Sequence, residues 1–273
     1  MSSSQIPKFK NPPVVETVLG IEFAPLQRWG IPHFGLFWQE IREEFPTYAI
    51  KPPLESHIEA SDLVLRRTRE IQIEAIDQPE FRCWYLNPTA HGNLIQVQND
   101  RFVYNWRKLS SDTSYPSYEE FCRPTFEKHW RSFNRFVTAE QLGPIDAVQC
   151  EVSYINHIAK GDGWSGVEDW HEIFNVLAPT AKHEFLPHPE SARFGLHFLM
   201  PKEKGRLRVS ASHAIRNEDG IEIIVFNLTA RGKPASSEYA DIREWFDMAR
   251  EWVVKGFTDM TTDSMHQLWG REQ

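Results

Sequence analysis

Gly161, Gly163 and Gly166, in the stretch YINHIAKGDGWSG, have the G-x-G-x-x-G spacing that lets a backbone approach a dinucleotide pyrophosphate at a helix N-terminus. That chemistry needs a tight strand-to-helix turn inside a parallel βαβ unit. Here Ala159 and Lys160 separate the strand from the first glycine, Asp162 turns a negative charge towards the phosphates, and hairpins follow. The glycines therefore read as a connector anchored by Trp164, and no cofactor is expected. HEFLPH, from His183 to His188, has one residue more than the zinc-protease pattern H-E-x-x-H, and Pro187 breaks the helix that would align two imidazoles, so no metal is expected. Cys83, Cys122 and Cys150 are far apart and odd in number, which suits buried thiols in a reducing compartment better than disulfides.

The polar residues with directional chemistry lie on strands. In NLIQVQNDRFVYNWRK (93–108) an Asn99-Asp100 turn puts Gln98 opposite Arg101, Val97 opposite Phe102 and Ile95 opposite Tyr104. One side of that hairpin is apolar, and the other carries Gln96, Gln98, Arg101, Asn105 and Arg107. In 145–158, Val148, Cys150, Val152 and Tyr154 share one side, with Gln149, Glu151, Ser153 and His157 on the other. A second hairpin, turning at Asp219-Gly220, sets Val209, Ala211, Ile215, Ile224, Phe226 and Leu228 against Arg208, Ser210, Ser212, Asn227, Thr229 and Arg231. A solvated outer sheet face is the plainer reading of this alternation. The sharper one follows from residue type: planar amides and guanidinium groups suit fixed, directional recognition. Arg101, Arg107 and Arg231 would bind anionic groups, Gln96, Gln98, Asn105, Asn227 and Thr229 would set orientation, and Glu151 with His157 would add a pH-sensitive pair. The expectation is a non-enzymatic binding or regulatory protein that holds a polar or anionic ligand, or a partner segment, between two lobes. One rival is a hydrolase using Glu151 and His157; six residues on one strand separate them by ~20 Å, which ranks it second. Another is the partner of a co-encoded toxin or defence protein, burying residues 1–13 and the Trp-rich C-terminal helices.

The elements that must position these side chains alternate in a simple order. A strand (14–25, Val15, Leu19, Ile21 and Phe23 sharing parity) is followed by a helix (33–45), poorly delimited strand-like sequence (54–87), the hairpin and a long helix (117–143) with a kink expected near Pro124. A strand, a helix (167–177), further strands, a long helix (238–260) and a short terminal helix then repeat the order. Short turns imply antiparallel pairing. The fold class expected is α+β with two similar lobes, each an antiparallel sheet covered on one face by helices: a flexible arm at 1–13, then lobes at 14–143 and 144–273.

Hydrophobic residues at 41% and charged residues at 25% are ordinary globular usage, so the chain can form a core. A net charge of −8 argues against general nucleic-acid binding. No apolar run approaches the ~20 residues of a membrane span, and the polar N-terminus has no apolar signal core, so a cytoplasmic protein without membrane association is expected. Self-association is left open.

The stretches NPPVVETVLGIEF, RCWYLN, LIQVQNDRFVYNWRK, CEVSYINHI, LTARG and WVVKGFTDMTTDSMHQLWGR together resemble a sporadically distributed bacterial family. That family is recognised by an N-terminal Asn-Pro-Pro-Val and a C-terminal His-x-x-Trp-Gly. The resemblance spans nearly the whole chain and implies a cytoplasmic, accessory-genome protein without implying an activity. Its pattern falls on Asn11, Pro12, Pro13 and Glu16, on Gln96, Arg101, Asn105, Trp106 and Arg107, on Glu151, Asn156 and His157, and on Thr229, Arg231, His266 and Trp269. The glycine triplet lies outside it.

Overall fold

Alternation of one apolar and one polar side makes 94–107 a hairpin, and its register is the one the turn dictates: Gln98 pairs with Arg101, Val97 with Phe102 and Ile95 with Tyr104. The structure is a computed structural model that describes residues 5–56, 58–59, 81–88, 92–110, 113–179 and 185–272. The expected strand-like stretch 54–87 and the His183–His188 motif lie partly outside those residues.

In chain order the elements are β1 (Val14–Phe23), α1 (Ile31–Ile41), β2 (Thr47–Lys51), β3 (Arg82–Leu86), β4 (Leu94–Gln98), β5 (Arg101–Arg107), α2 (Arg123–Ala139) and β6 (Ala147–Ala159). Then come α3 (Trp170–Ile173), β7 (Arg193–Leu199), β8 (Arg206–Ile215), β9 (Glu222–Gly232), α4 (Tyr239–Met260) and α5 (Asp263–Leu268). The strands form one antiparallel nine-stranded sheet in the order β2-β3-β4-β5-β1-β6-β9-β8-β7. The fold is thus α+β with a large antiparallel sheet and several helices.

Helices cover the apolar face. Leu19, Ile21 and Phe23 of β1, Phe102, Tyr104 and Trp106 of β5, Val152 of β6 and Phe226 and Leu228 of β9 are all buried there. Phe133 of α2 meets Phe102 at 5.1 Å and Phe37 of α1 at 5.4 Å between ring centroids, and Phe257 of α4 meets Phe226 at 5.9 Å. Trp164 is buried and its indole donates to the Ile158 carbonyl at 3.3 Å, which pins the glycine loop to the core.

Local departures from the sequence reading have local causes. A register shift between Val14 and Glu16 puts Val14, not Val15, in the buried position. Pro124 has no N–H to continue an α-helix, and the preceding turn, Tyr118–Cys122, opens into a π-helix. The second hairpin pairs Ile215 with Glu222, a longer loop than a two-residue turn. That pairing lies two residues from the expected one, so every side chain keeps its face, although Ile215 at the tip is exposed. Only 170–173 of the expected helix at 167–177 is α-helical, because Phe174 turns extended and bridges Thr261.

His129 of α2 gives the core a pH response. It is buried against the Phe45 ring and neither ring nitrogen has a hydrogen-bond partner. Burial pushes its pKa down to about 4, although the Glu44 carboxylate 3.5 Å away acts in the other direction. The unfolded chain takes up this proton below pH ~6.5 while the native state resists it, so the contribution is complete above that pH and is lost as pH falls towards 4. We expect about 1–2 kcal/mol less stability at pH 5 than at pH 7 from this group. Urea titrations at both pH values check this: His129→Leu should remove that share of the slope, and an unchanged slope would contradict it.

Candidate functional site

Hydrogen bonding between β1 and β6 places the two hydrophilic strand sets side by side on one sheet face, opposite the helices, rather than across a hollow from each other. Period-two alternation then brings cross-strand neighbours into rows. One row runs Gln98–Arg101–Glu22–Gln149, a second Gln96–Val103–Gly20–Glu151–Arg231–Arg206, and a third Asn105–Val18–Ser153–Thr229–Arg208.

In the first half of the sheet a relay of side chains crosses four strands. Arg82 donates to Gln96 at 2.8 Å, Gln96 to Asn105 at 2.6 Å, and Asn105 to the Glu16 carboxylate at 2.6 Å. Burial raises the Glu16 pKa, opposed by the Asn105 hydrogen bond and the Arg107 charge. Trp84 gathers three cations over its ring: Lys51 Nζ at 4.9 Å, and the Arg82 and Arg107 guanidinium carbons at 5.4 and 5.5 Å. In the second half Arg231 Nε donates to Glu151 at 2.6 Å. Ser153 donates to the other Glu151 oxygen at 2.7 Å, so its 2.8 Å contact with Thr229 is one in which it accepts.

The chain itself crosses the middle of this face. The Leu54 N–H donates to Gln98 Oε1 at 2.9 Å, and Gln98 Nε2 donates back to the Leu54 carbonyl at 3.3 Å. The Glu59 N–H donates to Gln149 Oε1 at 2.8 Å, and Ser56 donates to Glu22. Arg208 Nε donates to the Glu59 carboxylate at 2.6 Å, with Arg206 Nη1 3.5 Å from its second oxygen. Gln96, Gln98, Asn105, Gln149, Glu22 and Arg206 are buried, so the face is not a water-washed sheet surface.

Gln96, Asn105 and Arg107 fall in one cluster, Gln98 and Arg101 in the row beside Glu22, and Glu151, Thr229 and Arg231 in another. Asn227 lies between Ile155 and Ser210 with its carbonyl oxygen unpartnered. His157 stands apart, in a groove of about 1050 Å³ that Glu16 and Arg107 also line. Burial and the Arg216 charge lower its pKa, with Glu218 opposing. Glu151 makes its bonds to Arg231 and Ser153, not to His157. Glu22, Glu59, Arg82, Trp84, Gln149, Arg206 and Arg208 complete the face and stand outside the set of site residues expected from sequence. Strand parity marks Gln149 and Arg208; no local signal marks Glu59.

The three thiols are buried, and burial pushes the pKa of Cys83 up to about 11 and that of Cys122 up to about 12, with Cys150 higher still. Among the described residues no three His, Cys, Asp or Glu side chains form a metal-binding group, and no helix is long and apolar enough to cross a membrane. Trp269 is buried against Phe257, and residues 8–11 pair with 269–272 of the same chain. No protein-family model matches the chain, and neither a curated protein nor a solved structure matches it either.

Proposed function

We propose that the chain is a non-enzymatic binding protein whose hydrophilic sheet face holds an extended polypeptide segment with an acidic side chain. The observation that carries this reading is the two-way bond between the Gln98 carboxamide and both backbone groups of Leu54. A side-chain amide that takes an N–H and a C=O from one residue reads backbone as a neighbouring strand would, and independently of sequence. Gln149 repeats half of the device at Glu59, and the two arginines supply the charge recognition. In this reading the stretch carrying Leu54 and Glu59 is the built-in occupant, and a partner segment of the same pattern competes with it.

Two related halves would give such a face its length. From the centre outwards the first half runs β1-β5-β4-β3-β2 and the second β6-β9-β8-β7, with the first strand of each half central and the last beside it. That shared path supports two similar lobes fused through β1 and β6. Glu16, Gln96, Asn105, Glu151, Thr229 and Arg231 lie on this face, and the six belong to the pattern of the bacterial family that the chain resembles.

A competition experiment tests the proposal. Leu54→Pro removes the N–H that Gln98 accepts, and Glu59→Ala removes the carboxylate; together they weaken the built-in occupant. A synthetic peptide of residues 52–59 is expected to bind that double variant at least tenfold more tightly than the parent chain by calorimetry, and adding Gln98→Ala should abolish the gain. A folded double variant that does not bind the peptide, or binding unaffected by Gln98→Ala, would overturn it.

A further inference from the structure

On the opposite, helix-covered face a cavity of about 300 Å³ lies between the N-terminal arm, residues 115–120, the central strands and α4. Val14, Leu228, Val253, Val254 and Phe257 give it an apolar wall, and the arm adds Phe9. The arm is fixed there: the Lys10 and Asn11 N–H groups each donate at 3.0 Å, to the Gly270 and Trp269 carbonyls, and Glu272 N–H donates to the Lys8 carbonyl at 2.9 Å. The cavity is at the lower end of the size of small-molecule sites, and its apolar wall faces polar groups, with Lys8, Glu119, Glu120 and Glu272 at its rim.

Two of those polar groups are unsatisfied. Asn156 occupies a helix-side position of β6, where its neighbours in the alternation are Tyr154 and Ile158, and it is 0% exposed. Its Nδ2 donates to the Phe226 carbonyl at 2.9 Å, a contact only the NH₂ can make, which fixes the amide orientation. Its Oδ1 accepts no hydrogen bond. Arg250 of α4 is 9% exposed and sits 5.5 Å over the Tyr118 ring, with Nη1 3.1 Å from the Glu119 carboxylate, while its Nε donates to nothing. Beside them the Tyr115 and Tyr154 hydroxyls bond each other at 2.7 Å. A buried amide without its partner is costly to folding, and its retention on an apolar wall calls for an explanation.

We propose that this cavity binds a small neutral molecule with an aromatic or branched apolar body and a carboxamide edge, whose N–H is accepted by Asn156 Oδ1 and whose C=O accepts from Arg250. A carboxylate fits less well, because Glu119 already balances Arg250 and the Asn156 oxygen repels an anion. A hydrocarbon fills the space but satisfies neither group. This inference is independent of the polar-face reading.

Benzamide, benzoate and toluene serve as probes, followed by methyl shifts of Val14, Val253 and Val254 in the valine-labelled full chain. Benzamide should shift these methyls and bind at least tenfold more tightly than benzoate or toluene. Asn156→Leu should weaken benzamide at least tenfold and leave toluene unchanged, and Val254→Trp, which fills the cavity while leaving Asn156 and Arg250 in place, should abolish the shifts from all three. Absence of benzamide-induced shifts, equal binding of toluene or benzoate, or benzamide binding that survives Val254→Trp would overturn the proposal. If Asn156→Leu does not fold, probe ranking in the parent chain decides.

Discussion

Phe133→Ala is expected to cost about 3–5 kcal/mol. The ring is fully buried on α2 and, besides Trp130 of the same helix at 5.9 Å, meets Phe23 at 5.9 Å, Trp29 at 5.8 Å, Phe37 at 5.4 Å and Phe102 at 5.1 Å. These partners belong to β1, the loop before α1, α1 and β5. The hole left by alanine is therefore walled by elements that are also hydrogen-bonded or packed elsewhere, and they cannot all move in to fill it. Phe133→Leu retains most of the volume and should cost less than half as much. Urea denaturation measures both. A loss below about 1 kcal/mol for the alanine variant would mean that α2 is not seated as described.

Glu59→Ala is expected to cost about 2–3 kcal/mol, a large figure for a residue outside any helix or strand. Its carboxylate side chain is 4% exposed and faces Arg208 at 2.6 Å and Arg206 at 3.5 Å. Coulombic attraction at a surface pair is worth little, but here burial removes the solvent that would compensate for the missing partner. The partial exposure of Arg208 holds the figure below that of a fully enclosed pair. Glu59→Gln keeps the volume and one acceptor and should recover part of the loss. Because the pair is shielded, raising the salt concentration should change the effect little. A double-mutant cycle of Glu59→Ala with Arg208→Ala should give a coupling energy of at least ~1 kcal/mol; additive losses would show that the contact is only geometric.

Much of this arrangement is legible in the sequence, for a physical reason. Alternation fixes which side of a strand faces the core, and it holds even where the turn is misjudged: the β8–β9 loop is longer than a two-residue turn, yet Arg208, Asn227, Thr229 and Arg231 keep the polar face. The break in the helix before Pro124 follows from the missing N–H of proline. What the sequence does not carry is pairing between distant strands. Nothing in VVETVLGIEF or AVQCEVSYINHIA says that the two will hydrogen-bond in a single sheet, because alternation specifies which face a side chain takes and not which strand lies alongside. Trp84 and Arg82 lie in a stretch without clear boundaries, so their face is not readable. Leu54 over Gln98 and Glu59 over Gln149 are held by side chain to backbone bonds, which leave no periodicity to detect.

The central claim is that glutamine side chains on the sheet face hold polypeptide backbone. Amide hydrogen exchange at Leu54 and Glu59, followed by NMR, tests it most directly. Both N–H groups should be protected well beyond the rate of an exposed coil, Gln98→Ala should release Leu54 alone and Gln149→Ala should release Glu59 alone. Exchange at both positions as fast as in an unstructured peptide, or protection that survives both substitutions, would contradict it.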